Sequence, residues 1–309
     1  MSSSLTLVFP HSPPAVPALT TLLARSDRHA IQPVHWSQHV LQLGGLDYSP
    51  DQDLPLGPLC ALGDGLQLED GYWLCVEPVH LLADQDQLYL ASRAKDLAVT
   101  TIEAETLAAE FNALYLEDGW QLFTPCPERW YLRLPKPLML HTKAPDGLEG
   151  YSLWQAQPHG RDALLLQAAV NEMQMLLHNS AINNQRRREN KATINSLWLW
   201  AGGQLPALVI PWQQIQGDNC LLRGIARLDD VSHVVEGMLD WRHGNNLCVL
   251  TGEFDYMDGH WFASLLSALQ RGELTELNIY CSGSSYRYCL DRRAARRWWR
   301  RRRPKLTEL

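Results

Sequence analysis

The cysteines of this chain come without pairs: seven are scattered from Cys60 to Cys289, odd in number and nowhere spaced as C-x-x-C. That excludes a disulfide framework and a cysteine zinc site, and it fits reduced thiols in a cytoplasmic protein. No basic leader precedes an apolar stretch in MSSSLTLVFPHSPP. Nowhere do roughly 18 apolar residues follow one another, so neither a signal peptide nor a membrane span is expected. The chain also lacks G-x-x-x-x-G-K-[ST], a G-x-G-x-x-G after a strand, H-E-x-x-H and G-x-S-x-G. Without them the common nucleotide, zinc-protease and hydrolase sites have no support, and no cofactor is expected.

What is present is an ordinary globular composition, 46% hydrophobic and 20% charged over 309 residues, which rules out disorder or a fibre. The net charge of −7 is unevenly spread. Residues 292 to 309 carry eight Arg and one Lys against one Glu, leaving −15 on residues 1 to 291 once this +8 is set apart. In DRRAARRWWRRRRPKLTEL the arginines fall in pairs at four-residue steps around Trp298 and Trp299, so a helix here presents a cationic face. That face suits nucleic acid, an anionic membrane surface or the chain's own acidic body. Docking onto the body is favoured because it covers both indoles.

Periodicity places strands at Leu5–Phe9, Tyr72–Val76, Gln87–Ala91, Trp120–Phe123, Trp130–Leu134, Ser196–Trp200, Leu247–Leu250 and Leu274–Cys281. Leu208–Ile210 is a further short apolar run, and Tyr286, Tyr288 and Leu290 alternate as an edge strand does. Helices are expected near Leu19–Leu23, over Ile102–Leu116, Val231–Leu239 and Trp261–Leu269, and from Arg161 towards His178. The Gly-, Pro- and Asp-rich stretch Leu43–Asp70 reads mostly as loop. The alternation of strands and helices predicts an α/β or α+β fold, a mixed layered sheet with covering helices in two lobes. A boundary in the polar connector at 142–159 divides the chain into 1–158, 159–291 and the basic tail 292–309.

Chemistry concentrates in RDALLLQAAVNEMQMLLHNSAINNQRRRENKATINSLWLWAGG, residues 161 to 203. Leu164, Leu165, Ala168, Ala169, Met173, Leu176 and Leu177 give its helix an apolar stripe. Asn171, Gln174 and His178 line one flank, leading to a basic bend at Asn183, Arg186 and Arg187. A strand with Trp198 and Trp200 on one face, read as core packing, follows Asn195 and ends at Gly202-Gly203. An arginine fork, side-chain amides and the uncovered backbone amides of a glycine pair are what an anion site needs. Asn183, Arg186, Arg187, Asn195, Gly202 and Gly203 form the expected site, supported by Asn171, Gln174 and His178. Two groups weighed as metal ligands, Glu77 with His80, Asp84 and Asp86, and Asp255 with Asp258 and His260, match no ligand spacing, and no metal is expected. Arg129 and Arg133 in RWYLRL read as surface ion pairs.

The segment LLHNSAINNQRRRENKATINSLWLWAGG, with WLCVEPVHL and RWYLRL, resembles the RpfE-type regulatory proteins of proteobacteria. More remotely, the one block is similar to archaeal-type cofactor-independent phosphoglycerate mutases, with Asn183, Arg186, Asn195 and Gly203 on the shared positions. Asn190 and Ala201 stand where the mutase pattern has glycines. The resemblance implies a regulatory or binding protein for a small phosphorylated or other anionic ligand, with a protein partner and without mutase catalysis. The alternative is an active phosphotransfer enzyme of the mutase type, whose two metal ions and serine nucleophile cannot be assembled from this sequence.

Overall fold

The computed structural model describes residues 3–50, 52–84, 87–229, 233–235, 239–250 and 259–298. The chain divides into two compact units, 1–47 with 207–309, and 48–206. The first unit begins with β1 (Ser3–Phe9), α1 (Pro17–Arg25), β2 (Asp27–Ala30) and α2 (Trp36–Leu43). The second contains α3 (Leu56–Gly63), β3 (Tyr72–Asp84), β4 (Gln87–Ser92), α4 (Ala94–Leu97), α5 (Thr101–Leu114), β5 (Gln121–Cys126) and β6 (Arg129–Leu134), then α6 (Ala163–Asn179), α7 (Ala181–Arg188) and β7 (Ser196–Gly203). The chain then completes the first unit with β8 (Gln214–Gln216), α8 (Cys220–Ala226), β9 (His233–Val235), β10 (Gly244–Val249), α9 (Gly259–Arg271), β11 (Glu276–Cys281), β12 (Tyr286–Asp291) and α10 (Arg292–Ala295). This mixed α/β architecture agrees with the expected fold class. The division falls at 47/48 and 206/207, whereas the sequence placed it at 158/159, because the 142–159 connector is tied back by the paired backbones of His141 and His159.

In the first unit the sheet order is β2-β12-β11-β1-β10-β8-β9, with β1 running parallel to both β10 and β11. Leu5, Leu7 and Phe9 of β1 meet Phe262, Leu265 and Leu269 of α9 in one core. Two expectations change here. β12 lies inside the sheet, with β2 outside it, so Tyr288 and Leu290 are buried. The expected helix 231–239 contains instead a strand at 233–235, whose β-branched Val234 and Val235 pair in parallel with β8; 230–232 and 236–238 lie outside the described residues. Leu208–Ile210 forms no strand.

The tail meets its own unit as far as it is described. Ala294 and Ala295 are buried, Arg297 pairs with Asp27 at 2.5 Å, and Arg25 donates to the Ala295 carbonyl at 2.7 Å. The helix there covers only Arg292–Ala295, and Trp298 is 70% exposed, so docking does not cover that indole; Trp299 to Leu309 lie outside the described residues.

In the second unit the order β4-β3-β6-β5 is joined by β7, which pairs antiparallel with β3. β3 and β4 form an antiparallel hairpin. The stretch expected as loop holds α3, which keeps Pro58 in its first turn, where a missing N–H removes no helical bond. A Cβ on Gly57 would come within 2.3 Å of the Trp73 carbonyl, so glycine is what lets α3 lie on β3. α6 and α5 cover the sheet with Leu166, Ala169, Met173, Leu177, Leu107 and Phe111. Among the described residues no helix is long and apolar enough to cross a membrane.

Candidate functional site

The predicted basic bend is helical. Ser180 caps α7 by accepting from the Ile182 amide, and the helix stops at Asn190, which takes the left-handed conformation with φ 55°. Asn183 and Arg186 lie on the inner side of α7 and are 0% and 1% exposed. Arg186 is bound entirely within the protein: Nε donates to the Ala192 carbonyl at 2.7 Å, Nη1 to Glu103 at 2.9 Å and Nη2 to the Leu97 carbonyl at 2.5 Å. It ties α7 to the start of α5 and the end of α4 instead of facing a ligand. Burial works against the Glu103 carboxylate, but the Thr100 amide and hydroxyl and Arg186 hold its pKa below the ordinary value.

Asn183 and Asn195 behave as side-chain peptide groups. Asn183 donates to the Leu177 and Ile194 carbonyls at 2.8 and 2.7 Å and accepts from the Ile194 amide at 2.8 Å. Asn195 accepts from the Leu81 amide and donates to the Leu81 carbonyl, both at 2.7 Å, bridging the register shift in β3. Arg187 is exposed and reaches the His178 carbonyl at 3.2 Å and Asn184 at 3.0 Å.

The amides at the end of β7, expected to be uncovered, are covered. Thr142 Oγ1 accepts from the Ala201 amide at 2.9 Å, and Asp53 Oδ2 accepts from the Gly202 amide at 3.3 Å. A Cβ on Gly202 would sit 2.4 Å from the Tyr72 hydroxyl, and one on Gly203 2.5 Å from Pro55, so close packing is what requires these glycines. Ala201 between them and Trp200 has φ 53°.

Asp53 is the centre of a cluster that sequence reasoning missed. Its side chain is 3% exposed; it accepts from the Thr142 hydroxyl and, at 2.8 Å, from the Thr142 amide, while His141 Nδ1 lies 3.2 Å away, off the line of a good hydrogen bond. His159 stacks edge-on against His141, with ring centres 5.0 Å apart. Burial raises the Asp53 pKa despite the Thr142 and Gly202 hydrogen bonds; burial, then the Asp53 and Asp162 charges, raises that of Tyr72. The partners are 19 to 149 residues from Asp53 along the chain, so no local spacing announces the cluster.

Thr142 also borders a cavity of about 190 Å³ between α6, β7 and the 142–158 connector. Leu153, Leu166, Val170, Leu197 and Leu199 form its apolar lining, and Trp198 closes one side, its Nε1 donating to the Lys143 carbonyl at 2.8 Å. Of the expected polar flank, Asn171 and Gln174 line this cavity and His178 does not. Gln174 Nε2 donates to Ser196 at 3.1 Å. The structure therefore separates the sequence-predicted site into a buried tie at α7 and a hollow beneath α6.

Among the described residues no group of His, Cys, Asp and Glu is placed to hold a metal ion. Glu77 pairs with Arg93 at 2.8 Å, and His80 meets the Thr193 carbonyl at 2.7 Å. Asp86, Asp255 and Asp258 lie outside the described residues. The strand arginines are ion-paired as expected, Arg129 with Asp64 and Arg133 with Glu69, each at 3.0 Å.

No family model and no curated protein matches the chain. Among solved structures, a cofactor-independent phosphoglycerate mutase from Thermoplasma acidophilum DSM 1728 is similar at 17% identity and a TM-score of 0.46, over 94% of this chain and 90% of that one. The PH0037 protein from Pyrococcus horikoshii is similar at 14% identity and a TM-score of 0.51, over 93% of this chain and 87% of that one, a likeness of fold.

Proposed function

We propose that this chain is a ligand-binding regulatory protein of the RpfE type that performs no phosphomutase chemistry. The internal commitment of Arg186 carries the reading: the arginine that the resemblance assigns to an anion site has all three nitrogens bonded to Glu103 and two backbone carbonyls. Phosphoryl transfer needs concentrated positive charge around the moving group. Arg186 cannot supply it without abandoning the partly buried Glu103 carboxylate. A small ligand meets instead the cavity beneath α6, which is lined by leucines, Trp198, Gln167, Asn171 and Gln174.

The test is turnover of a panel of phosphomonoesters, including phosphoglycerates, by the full chain with Mg²⁺, Mn²⁺ or Zn²⁺. No turnover above buffer is expected. Metal-dependent turnover that scales with protein and persists through a second purification would overturn the reading in favour of a phosphotransfer enzyme.

A further inference from the structure

The cavity beneath α6 has a size and a polarity that select a ligand. An apolar cavity of about 150 Å³ accommodates benzene. At about 190 Å³ this one has room for a six-membered ring with a short substituent. Leu153, Leu166, Val170 and the half-buried indole of Trp198 suit such a ring, which gains most by offset or edge-on contact with the indole.

The polar groups that face the cavity are neutral. Among the described residues no carboxylate, imidazole or guanidinium lines it, and Lys143 is held there by its backbone carbonyl, which accepts from Trp198 Nε1 at 2.8 Å. A charged ligand, of either sign, would give up its hydration with too little to replace it. An uncharged one finds a matched pair. Gln174 Nε2 donates to Ser196 Oγ at 3.1 Å, which leaves the Gln174 Oε1 acceptor and the Ser196 O–H donor side by side, with no further partner among the described residues. Ser196 is 2% exposed, so its hydroxyl has little bulk solvent to turn to. Gln167 and Asn171, at i−7 and i−3 from Gln174, continue the same flank of α6 with side-chain amides that bond to nothing else among the described residues. A donor beside an acceptor is the complement of a carboxamide, which offers a carbonyl to the one and an N–H to the other.

We propose that the cavity binds a small uncharged aromatic carboxamide, with its ring against Trp198 and the leucines, its carbonyl accepting from Ser196 and its N–H donating to Gln174. This rests on the reading of the chain as a binding protein and names the ligand class of that site.

The test is calorimetric titration of the full chain with benzamide, set beside benzoate and benzylamine, which keep the ring and carry one charge of either sign. Saturable benzamide binding is expected, with both charged analogues weaker by about tenfold or more. Gln174→Met removes the acceptor and keeps the length of the side chain, and should weaken benzamide about tenfold. Val170 is half-buried in the lining, and Val170→Phe fills the hollow and should abolish binding. The ranking of the three ligands on the parent chain needs no variant, so it decides the matter even where a substitution impairs folding. Absence of saturable benzamide binding, benzoate or benzylamine bound as tightly as benzamide, or benzamide binding undiminished in both folded variants would overturn the proposal. Each of those outcomes leaves the non-enzymatic reading standing, whereas phosphoester turnover removes that reading and does not bear on the carboxamide.

Discussion

Arg186 shows how a residue type that suggests ligand binding can be absorbed by the fold. A guanidinium 1% exposed beside a carboxylate 15% exposed is stable only while both remain paired. Arg186→Ala strands Glu103 and two carbonyls, so we expect a loss of about 3–5 kcal/mol in urea unfolding. The same pair carries a pH dependence. Glu103 binds its proton less readily in the folded chain, so its contribution is whole above the unfolded carboxylate value of about 4.3 and is lost as pH falls through the lower folded value. The gap between parent and Arg186→Ala should therefore narrow as pH falls below about 4.3, down to the part owed to the two carbonyls, as unfolding curves over pH 3 to 7 would show. Ala201 presents a subtler balance. A left-handed backbone costs an alanine roughly 1–2 kcal/mol, while its buried methyl contributes about 0.8 and glycine would add freedom to the unfolded chain. These effects nearly cancel, so Ala201→Gly should stay within about 0.5 kcal/mol of the parent, whereas Ala201→Val, β-branched at positive φ, should lose about 2 or more.

At the scale of elements, legibility followed periodicity. β1, β3, β6, β7, β10 and α5 were readable because alternation or 3.6-residue spacing is strong there and burial reinforces it. α6 was readable as a helix but not in its phase. Leu164, Leu165 and Leu166 are consecutive, and periodicity alone cannot say which of them points inward. The structure buries Leu166 at 0% and leaves Leu164 78% exposed. Leu166→Ala should cost about 2–5 kcal/mol by thermal or urea unfolding, and Leu164→Ala less than about 0.5. The sequence of α7 suggests a bend because its residues are nearly all polar; its helicity comes from the Ser180 cap and from Asn183 and Arg186, which find their partners inside the unit. The candidate site divided in the same way. The Asn171 and Gln174 flank was legible from helix geometry, while the Asp53, His141 and Thr142 cluster joins loops that only tertiary structure brings together.

For the molecule as a whole the uneven charge is the feature that most needs a partner. The body of residues 1–291 carries −15 and the tail +8. The described part of that tail is already anchored: Asp291 caps the Ala294 amide at 2.7 Å, Ala294 and Ala295 are 1% and 0% exposed, and Arg296 and Arg292 donate to the Gln270 carbonyl at 3.0 and 3.3 Å. The Arg297–Asp27 pair, at 24% and 45% exposure, adds little stability of its own, because solvent screens it. The cap and the buried alanines carry most of the anchoring. Ending the chain after Asp291 should therefore lower stability by about 2 kcal/mol or more, while ending it after Trp298, which keeps the cap and both alanines, should cost less. The two truncations also separate self-docking from nucleic-acid binding. Contact with phosphates would show as affinity for DNA or RNA falling steeply with rising salt and disappearing when residues 299–309 are removed. With an acidic body close at hand, the full chain should show no such salt-dependent binding in a filter or anisotropy assay at physiological ionic strength; a steep slope would make the polybasic segment a nucleic-acid contact and confine self-docking to residues 292–298.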